Sequence, residues 1–438
     1  MGKAAILTLG CKANQFESAA MQTQLEELGF KVGPLESDCS LVIVNSCTVT
    51  GATDTQSRKL VRRARRISPG ARVFVTGCAA QIEPTMFTHM DGVERIFGNM
   101  EKQDLQSLLS HGGPRVQVGD IAKETACPDL KIRRFSGHSR AFVQIQTGCD
   151  NFCAYCIIPY ARGRSRSVPS LAVIEQVQTL AEAGFAEIVL TGIHIGQYGK
   201  DLSERLDLAA LVKEILCRTS VERIRLGSVE PQELTSALIN LLAESSRICS
   251  HLHIPLQSGA DTVLQRMKRT YSSACFADKI GAIKGALPHL SLGFDVITGF
   301  PGESVAEFEQ TRALLEDLPF NYLHVFPYSS RTGTLAAQMP DQVPVDLRRK
   351  RAAILRDIAH PRAEMYAQTF IGTHVDVVFR TRATALSGAH PTWQGVSSEY
   401  LEAECSTQAD LAGSLRRVFV KAVEGERLIC SDSESRIG

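Results

Sequence analysis

The chain of 438 residues reads as an α/β protein built in three parts, about what that length suggests at roughly 150 residues per domain. Three observations predict this. Short apolar runs alternate with amphipathic helical stretches over the first ~110 residues, a β-α-β-α-β rhythm that argues for a parallel sheet with helices packed on it. The rhythm then restarts on a longer scale, with six βα units in ~230 residues, short of the ~250 that a full eight-unit barrel takes. The tail switches to period two, the signature of antiparallel strands with one buried face. The expected architecture is an N-terminal parallel α/β domain over residues 1–120, a partial (βα)6 barrel over 135–368 and a small antiparallel β domain over 371–438. Rhythm alone leaves a doubly wound open sheet as the alternative for the middle part.

The elements follow in order. Residues 4–9 (A-A-I-L-T-L) form a first apolar strand, and Asn14 is placed to cap a helix running to about residue 28, with Phe16, Ala20, Leu25 and Leu28 inward. Residues 41–44 (L-V-I-V) make a second strand. A basic helix over about 53–67 is closed by Ser68-Pro69-Gly70, and residues 73–75 make the third strand. A Gly-, Pro- and charge-rich stretch over about 111–138 separates this part from the next. Strands are then expected at 142–146, 187–190, 223–226, 251–254, 292–297 and 322–326. Helices are expected at 171–183, 206–217, 231–242 and 304–315, and a longer one at 345–366 leads out. In the tail Val375, Val377 and Phe379, then Leu401, Ala403 and Cys405, then Val418, Val420 and Ala422 alternate with polar residues. Turns are expected at Ser387-Gly388 and Glu424-Gly425.

Composition excludes several classes of protein. Hydrophobic residues at 44% and charged residues at 22% are those of a globular protein, not of a disordered or fibrous one. No apolar stretch reaches the ~18 residues of a membrane span, so no membrane partner is expected, and the first residues run into a strand without a signal-peptide core. The chain is therefore expected in the cytoplasm, where thiols stay reduced. A net charge of +1 hides local patches. Residues 58–66 (R-K-L-V-R-R-A-R-R) carry six bases and no acid. Smaller clusters are Lys131, Arg133 and Arg134; Arg162, Arg164 and Arg166; Arg266, Lys268 and Arg269; and Arg348 to Arg351. Any one of these reads as a solvated face; several on a neutral chain favour a polyanionic partner. Aromatic residues at 6% do not suggest a broad stacking platform for single strands.

Thirteen cysteines in a reducing compartment call for metal rather than disulfides. Cys11, Cys47 and Cys78 each follow one of the three N-terminal strands. The carboxyl ends of parallel strands share one edge of a sheet, where ligands bind in such folds, so three thiols far apart in sequence converge there. Cys149, Cys153 and Cys156 stand in G-C-D-N-F-C-A-Y-C, a C-x3-C-x2-C spacing directly after the first barrel strand. Zinc would want a fourth ligand nearby, and the next histidine is His194. Iron–sulfur clusters take cysteine thiolates, normally four, so three would leave one iron open. The other seven cysteines lack grouped spacing and read as structural. Thr191-Gly192, Ser228, Glu230, Pro231, His253, Gln257-Ser258-Gly259, Asp295 and residues 299–303 lie near the ends of barrel strands and make a candidate rim; for each one singly a turn, cap or core role is the alternative.

With Tyr155 before its last cysteine, the C-x3-C-x2-C stretch resembles that of the radical S-adenosylmethionine enzymes. The longer run over residues 148–167 (G-C-D-N-F-C-A-Y-C-I-I-P-Y-A-R-G-R-S-R-S) is similar to the methylthiotransferases, which join a three-cysteine domain, a radical domain and a β-module called TRAM, in that order. H-L-H-I-P-L-Q-S-G-A-D and D-V-I-T-G-F-P-G-E-S match the same family. T-L-G-C-K-A-N-Q-F-E-S at residues 8–18 is most similar to the branch acting on N6-threonylcarbamoyladenosine in transfer RNA. In the tail, W-Q-G-V-S-S-E-Y-L is similar and the rest departs.

The resemblance implies two 4Fe–4S clusters, one on Cys149, Cys153 and Cys156 that chelates S-adenosylmethionine, and one on Cys11, Cys47 and Cys78 that presents a sulfur species. It implies cofactor contacts from Tyr155, Thr191, Gly192, Glu230, Arg269 and Asp295. The reaction would replace the C2 hydrogen of the adenine at position 37, next to the anticodon, by a methylthio group. No side chain is basic enough to remove that hydrogen as a proton at neutral pH, so a radical is needed. The partners would be a tRNA anticodon arm, an electron donor and a sulfur donor. The alternatives are the same chemistry on isopentenyladenosine or on a ribosomal-protein aspartate, and, from another class, a non-catalytic metal-stabilised RNA-binding protein.

Overall fold

A computed structural model describes residues 2–110, 112–135, 137–380 and 391–432. The first part is one wholly parallel six-stranded sheet, in the order β2-β1-β3-β4-β5-β6. Its strands are β1 (Lys3–Thr8), β2 (Lys31–Val32), β3 (Cys39–Ser46), β4 (Arg72–Gly77), β5 (Val93–Phe97) and β6 (Val116–Gln117). The three strands read from apolar runs, β1, β3 and β4, are adjacent at its centre. The other three escape a hydrophobicity reading for physical reasons. β2 and β6 have only two residues each, and β5 (V-E-R-I-F) hides its apolar face behind Glu94 and Arg95. Arg95 is buried because its guanidinium donates to the Ser110 carbonyl at 2.6 Å.

Helix α1 (Lys12–Glu27) starts earlier than expected. Cys11 stands at its N-cap, and Asn14 lies inside the helix rather than capping it. Asn14 is buried and donates to the carbonyls of Leu9 (2.7 Å) and Ser46 (3.0 Å), tying the ends of β1 and β3 together. Helix α2 (Gly51–Ile67) opens on a capping box between Thr50 and Thr53 and buries Ser57, Val61 and Ala64.

Six parallel strands follow in two groups of three: β7 (Arg140–Gln144), β10 (Glu187–Thr191) and β11 (Arg223–Leu226), then β12 (His251–Gln257), β13 (Ser291–Thr298) and β14 (Tyr322–Pro327). Two short strands, β8 (Gln146–Thr147) and β9 (Arg166–Ser167), pair beside the cysteine loop. A single parallel bridge between Ile224 and Ile248 joins the two groups. The result is a partial barrel with β7 and β14 as its open edges. Helices Ser170–Glu182, Leu208–Arg218 and Val305–Asp317 fall where periodicity placed them. The stretch expected as one helix from residue 231 begins as a 3-10 turn, Pro231–Glu233, and becomes α-helical only at Ser236–Glu244, which Thr235 caps.

Leu252, Ile254 and Leu256, Leu292, Phe294 and Val296, and Ile224 and Leu226 belong to one core with the surrounding helices. Period two therefore turns Arg223, Arg225, His251, His253, Asp295, Tyr322 and His324 to the barrel's inner face. The N-terminal part reaches both open edges. Phe16, Ala19 and Ala20 of α1 share the core with Phe142 of β7, and Arg331, just after β14, donates to Asp54 of α2 at 2.6 Å.

Helix Val345–Gln368 leads to a closed five-stranded barrel in the order β15-β16-β17-β19-β18. Its strands are β15 (His374–Phe379), β16 (Thr392–Ser397), β17 (Glu402–Ser406), β18 (Leu415–Glu424) and β19 (Arg427–Asp432). Period two located β15, β17 and β18; closure needs β16 and β19 as well. All pairs are antiparallel except β17–β19, which is parallel. The Glu424-Gly425 turn joins β18 to β19, with Gly425 at φ +60°. Ser387-Gly388 lies outside the described residues. The small barrel is fastened to the amino-terminal end of the large one. Arg223 donates to the carbonyls of Asp376 (2.7 Å) and Val396 (2.9 Å), Arg225 donates to those of Ser397 (2.8 Å) and Ser398 (3.1 Å), and Tyr400 stacks on His251 at 4.6 Å. Among the described residues, no helix is long and apolar enough to cross a membrane.

Candidate active site

The structure brings each cysteine triad together. Cys11, Cys47 and Cys78 follow β1, β3 and β4, three neighbours in one sheet, so they line a single edge. Glycines make the cradle. Gly10 has φ +98°, and a Cβ there would stand 2.8 Å from the Cys47 sulfur. Gly77 has φ +96°, and a Cβ there would collide with the Ser46 carbonyl oxygen at 2.2 Å. Only glycine gives both the left-handed turn and the close approach. Cys47 and Cys78 are buried, whereas Cys11 is exposed and opens the set to one side. Burial pushes the Cys47 thiol up to about 11. A metal takes thiolates, so ligation here releases protons.

Cys149, Cys153 and Cys156 lie in the loop after β7 and β8, at the carboxyl end of the large barrel. Gly148 (φ +73°) admits the carbonyl oxygen of Arg164, which a Cβ would meet at 1.8 Å. Phe152, between the first two cysteines, is held at φ +44°, a strained value for an aromatic residue. The Tyr160 ring, edge-on at 5.8 Å, and the Arg164 guanidinium, 5.2 Å over its face, brace it. Burial pushes the Cys156 thiol up to about 12.

The rim residues divide by what they touch. Arg269 donates to the Cys153 sulfur at 3.4 Å, pairs with Glu230 and donates to the Tyr271 hydroxyl at 3.1 Å. Tyr155 packs against the small apolar cluster that includes Met267 and Phe300, where burial raises its phenol and keeps it neutral. Thr191 ends β10, and Gly192 approaches the Gln146 carbonyl so closely that a Cβ would lie at 2.8 Å. Asp295 sits in mid-strand on β13 and holds two histidines, His253 Nε2 at 2.9 Å and His324 Nδ1 at 3.3 Å; Tyr322 takes the other nitrogen of His253 at 2.8 Å. His253 thus belongs to a hydrogen-bonded chain on the inner face.

Sequence reasoning missed four contributors. Gln146 accepts from the backbone N–H groups of Ile193 (3.1 Å) and His194 (2.8 Å) and donates to the Thr147 and Gly148 carbonyls, so one side chain clamps the Thr191-Gly192 turn to the cysteine loop. His194 Nδ1 lies 3.8 Å from the Cys149 sulfur, with Glu233 2.7 Å from its other nitrogen. Glu17 and Lys102, fully buried, belong to a network joining the two triads. Arg162 donates to Glu17 at 2.5 Å and to Asn14 at 2.6 Å, Lys102 pairs with Glu17 and donates to Asn99 at 2.8 Å, and Asn99 donates to the Ala161 carbonyl at 2.7 Å. Arg162 stands six residues after Cys156 and is an electrostatic neighbour of Cys78. The R-G-R-S-R run was legible as charge; that its first arginine is fully buried was not.

Most of the other basic clusters have acids beside them. Arg133 and Arg134 pair with Glu27 and Glu26, Arg164 with Asp150, Arg266 with Glu307, and Arg351 with Glu303. Only α2 keeps its bases free as a group: Arg58, Lys59, Arg62, Arg63 and Arg66 are exposed, without an acidic partner among the described residues.

The barrel of parallel strands with three thiols in its first carboxyl-end loop is the part of the chain that the family comparison identifies as a radical S-adenosylmethionine enzyme. Residues 143–315 match the radical SAM superfamily, whose chemistry uses an iron–sulfur cluster and S-adenosylmethionine, and residues 3–98 match an uncharacterized protein family designated UPF0004. The chain is 36% identical to the threonylcarbamoyladenosine tRNA methylthiotransferase MtaB of Bacillus subtilis, over 97% of this chain and 98% of that one. It is 39% identical to the protein of the same name from Rickettsia prowazekii, over 87% and 88%. With the tRNA-2-methylthio-N(6)-dimethylallyladenosine synthase of Natranaerobius thermophilus it shares 32% over 87% of each. The chain therefore belongs to the radical S-adenosylmethionine methylthiotransferase family. Among solved structures, a radical S-adenosylmethionine methyltransferase, TsrM, from Kitasatospora setae has the same fold over 77% of this chain and 75% of its own, at a TM-score of 0.55 and 15% identity.

Proposed function

We propose that the protein methylthiolates carbon 2 of N6-threonylcarbamoyladenosine at position 37 of transfer RNA. The observation that carries this reading is the near-full-length likeness to the Bacillus subtilis protein of that name. In this reading Cys149, Cys153 and Cys156 hold one 4Fe–4S cluster and Cys11, Cys47 and Cys78 a second. The donor sets fit: three soft thiols each, in cradles that glycine alone permits. When bound, the first cluster and S-adenosylmethionine supply the one-electron chemistry that takes the C2 hydrogen, and the second supplies sulfur.

The chain's own residues bind, orient and exclude water. Tyr155, Thr191, Gly192, Glu230, Arg269 and Asp295 make the S-adenosylmethionine contacts. Burial raises the Cys153 thiol, and Arg269, fixed by Glu230 and Tyr271, places positive charge beside it that offsets part of that rise. Gln146 keeps the Thr191-Gly192 turn against the cysteine loop. The N-terminal domain is seated on both open edges of the barrel. An electron donor and a sulfur donor complete the turnover, and the enzyme works in the cytoplasm, where transfer RNA is found.

The free bases of α2 serve the anticodon arm by neutralising phosphates without reading sequence. Replacing Arg58, Lys59, Arg62, Arg63 and Arg66 by glutamine is expected to weaken tRNA binding and flatten the plot of log affinity against log salt by about 0.7–0.9 for each phosphate no longer neutralised. Filter binding across a salt series reads this; an unchanged slope removes α2 from the interface.

The target is tested by mass spectrometry of tRNA nucleosides from a deletion strain. The methylthio form of threonylcarbamoyladenosine is expected to disappear and its unmethylthiolated precursor to accumulate, with restoration by the gene in trans. Loss of the methylthio form of dimethylallyladenosine instead would reassign the substrate.

A further inference from the structure

A run of rings follows β14 along the inner face of the large barrel. Val325 is buried in the core and Leu323 packs against it, so Tyr322, His324 and Phe326 turn inward, beside Gly293, Asp295 and Ile297 of β13. Toward the amino-terminal end the rings cover one another. Tyr400 of the small barrel stacks on His251 at 4.6 Å, Tyr322 stacks on His251 at 5.8 Å, and His324 stands 5.2 Å from Tyr322. Phe326 ends the run at the carboxyl end. Its one ring contact among the described residues is His324, edge-to-face at 6.3 Å, and it is 48% exposed. A bare aromatic ring inside a concave site, rather than on an outer surface, marks a place where another flat apolar surface docks.

The chain on either side places this ring between the two thiol sets. Ile297, its partner in register on β13, packs in the apolar cluster that holds Ala154 and Tyr155 of the first cysteine loop. Tyr328, two residues on, lies in the same cluster. Ser329 then accepts from the Gly51 backbone N–H at 3.2 Å, and Arg331 donates to Thr48 and to Asp54, in the segment just after Cys47 of the second set.

We propose that Phe326 is the platform on which the target purine stacks once it has left the anticodon loop. The inference rests on the reading of a modified adenosine in transfer RNA as the substrate and adds the contact that holds the base. A base worked on in an enclosed site must first leave its own stack, which forfeits stacking energy. An open phenyl face returns part of that energy, because every base has a π-face of its own. The position between the two thiol sets is where a base must lie if one set is to act on its hydrogen and the other to deliver sulfur. A stack of this kind reads the plane of the purine and not its N6 arm. It therefore serves threonylcarbamoyladenosine and dimethylallyladenosine alike and leaves the choice between them to other contacts.

The test uses the reconstituted full chain and three anticodon stem-loops that differ only at position 37, where they carry threonylcarbamoyladenosine, dimethylallyladenosine or an abasic site. Fluorescence anisotropy is expected to show Phe326→Leu binding the base preferred by the wild type about tenfold more weakly, within the range of one base–aromatic stack, with affinity for the abasic loop unchanged. Phe326→Tyr keeps the ring and is expected to keep the wild-type affinity. The proposal is overturned by an equal loss on the abasic loop, by no loss on the base, by a tyrosine variant as weak as the leucine one, or by a wild type that distinguishes neither base from the abasic site. The preferred base reports the substrate, and the ratio of leucine variant to wild type reports Phe326, so the two failures are distinguishable. A preference for dimethylallyladenosine would remove the substrate reading and leave the stack standing.

Discussion

Alanine at Cys149, Cys153 and Cys156 together is expected to remove about four of about eight irons per reconstituted chain and to abolish reductive cleavage of S-adenosylmethionine. Alanine at Cys11, Cys47 and Cys78 is expected to remove a similar amount of iron but to leave that cleavage intact, so that 5′-deoxyadenosine forms without methylthiolated product. The asymmetry follows from the fold. The first triad sits in the carboxyl-end loop of the barrel, against Arg269, Glu230 and the Thr191-Gly192 turn, whereas the second lies on another sheet with its own glycine cradle. Iron and sulfide analysis with chromatography of the reaction products measures both outcomes. Full iron content in either triple variant would refute the assignment of ligands.

Glu17→Ala is the second large effect, and its origin is electrostatic. Glu17 is in contact with two fully buried cations, Arg162 and Lys102. Removing it leaves both charges uncompensated in the interior, and breaking a buried pair in this way costs about 3–5 kcal/mol. Chemical denaturation should show that loss, and both triads should bind less iron, because Arg162 ties the helix after Cys156 to α1, which begins at Cys11. Burial alone would raise the Glu17 carboxyl, but Arg162 and Lys102 overcome it and hold the group at about 2, below its ordinary value of 4.5. A depressed carboxylate contributes stability that is fully present above the ordinary value and is lost as pH falls toward the folded one. The wild type is therefore expected to lose stability between about pH 4.5 and 2, and Glu17→Gln to flatten that part of the profile. An unaltered acid limb would mean that another group carries the transition.

Much of this was legible in the chain itself. Apolar runs located β1, β3 and β4, since buried parallel strands are rich in Val, Ile and Leu, and apolar residues in runs or alternating with polar ones, as in R-I-R-L and H-L-H-I, located all six strands of the large barrel. Spacing picked out Cys149, Cys153 and Cys156, and the recurrence of a cysteine after each N-terminal strand picked out the other three. The short strands β2 and β6 were not legible, since two residues have no period. Nor was β5, whose Arg95 has the polarity of a surface residue yet finds a carbonyl partner indoors. Charge alone did not separate the clusters either. Arg133 and Arg164 lie on the surface, as a solvated face requires, each with an acid beside it, whereas Arg351 is buried against Glu303.

Local chemistry belongs to the linear order. Ligand type, ligand spacing, strand and helix period, and the glycines that admit close approach are properties of neighbours along the chain, and they determined the class of fold and the two thiol sets. Partnership between distant residues does not leave such a trace. That Arg162 meets Glu17 across 145 positions and that Gln146 clamps the turn before His194 were decided only when the sheets assembled. The reason is that burial turns a charge from a solvated group of little consequence into one that must be matched, and only the folded chain sets which charges are buried and what faces them.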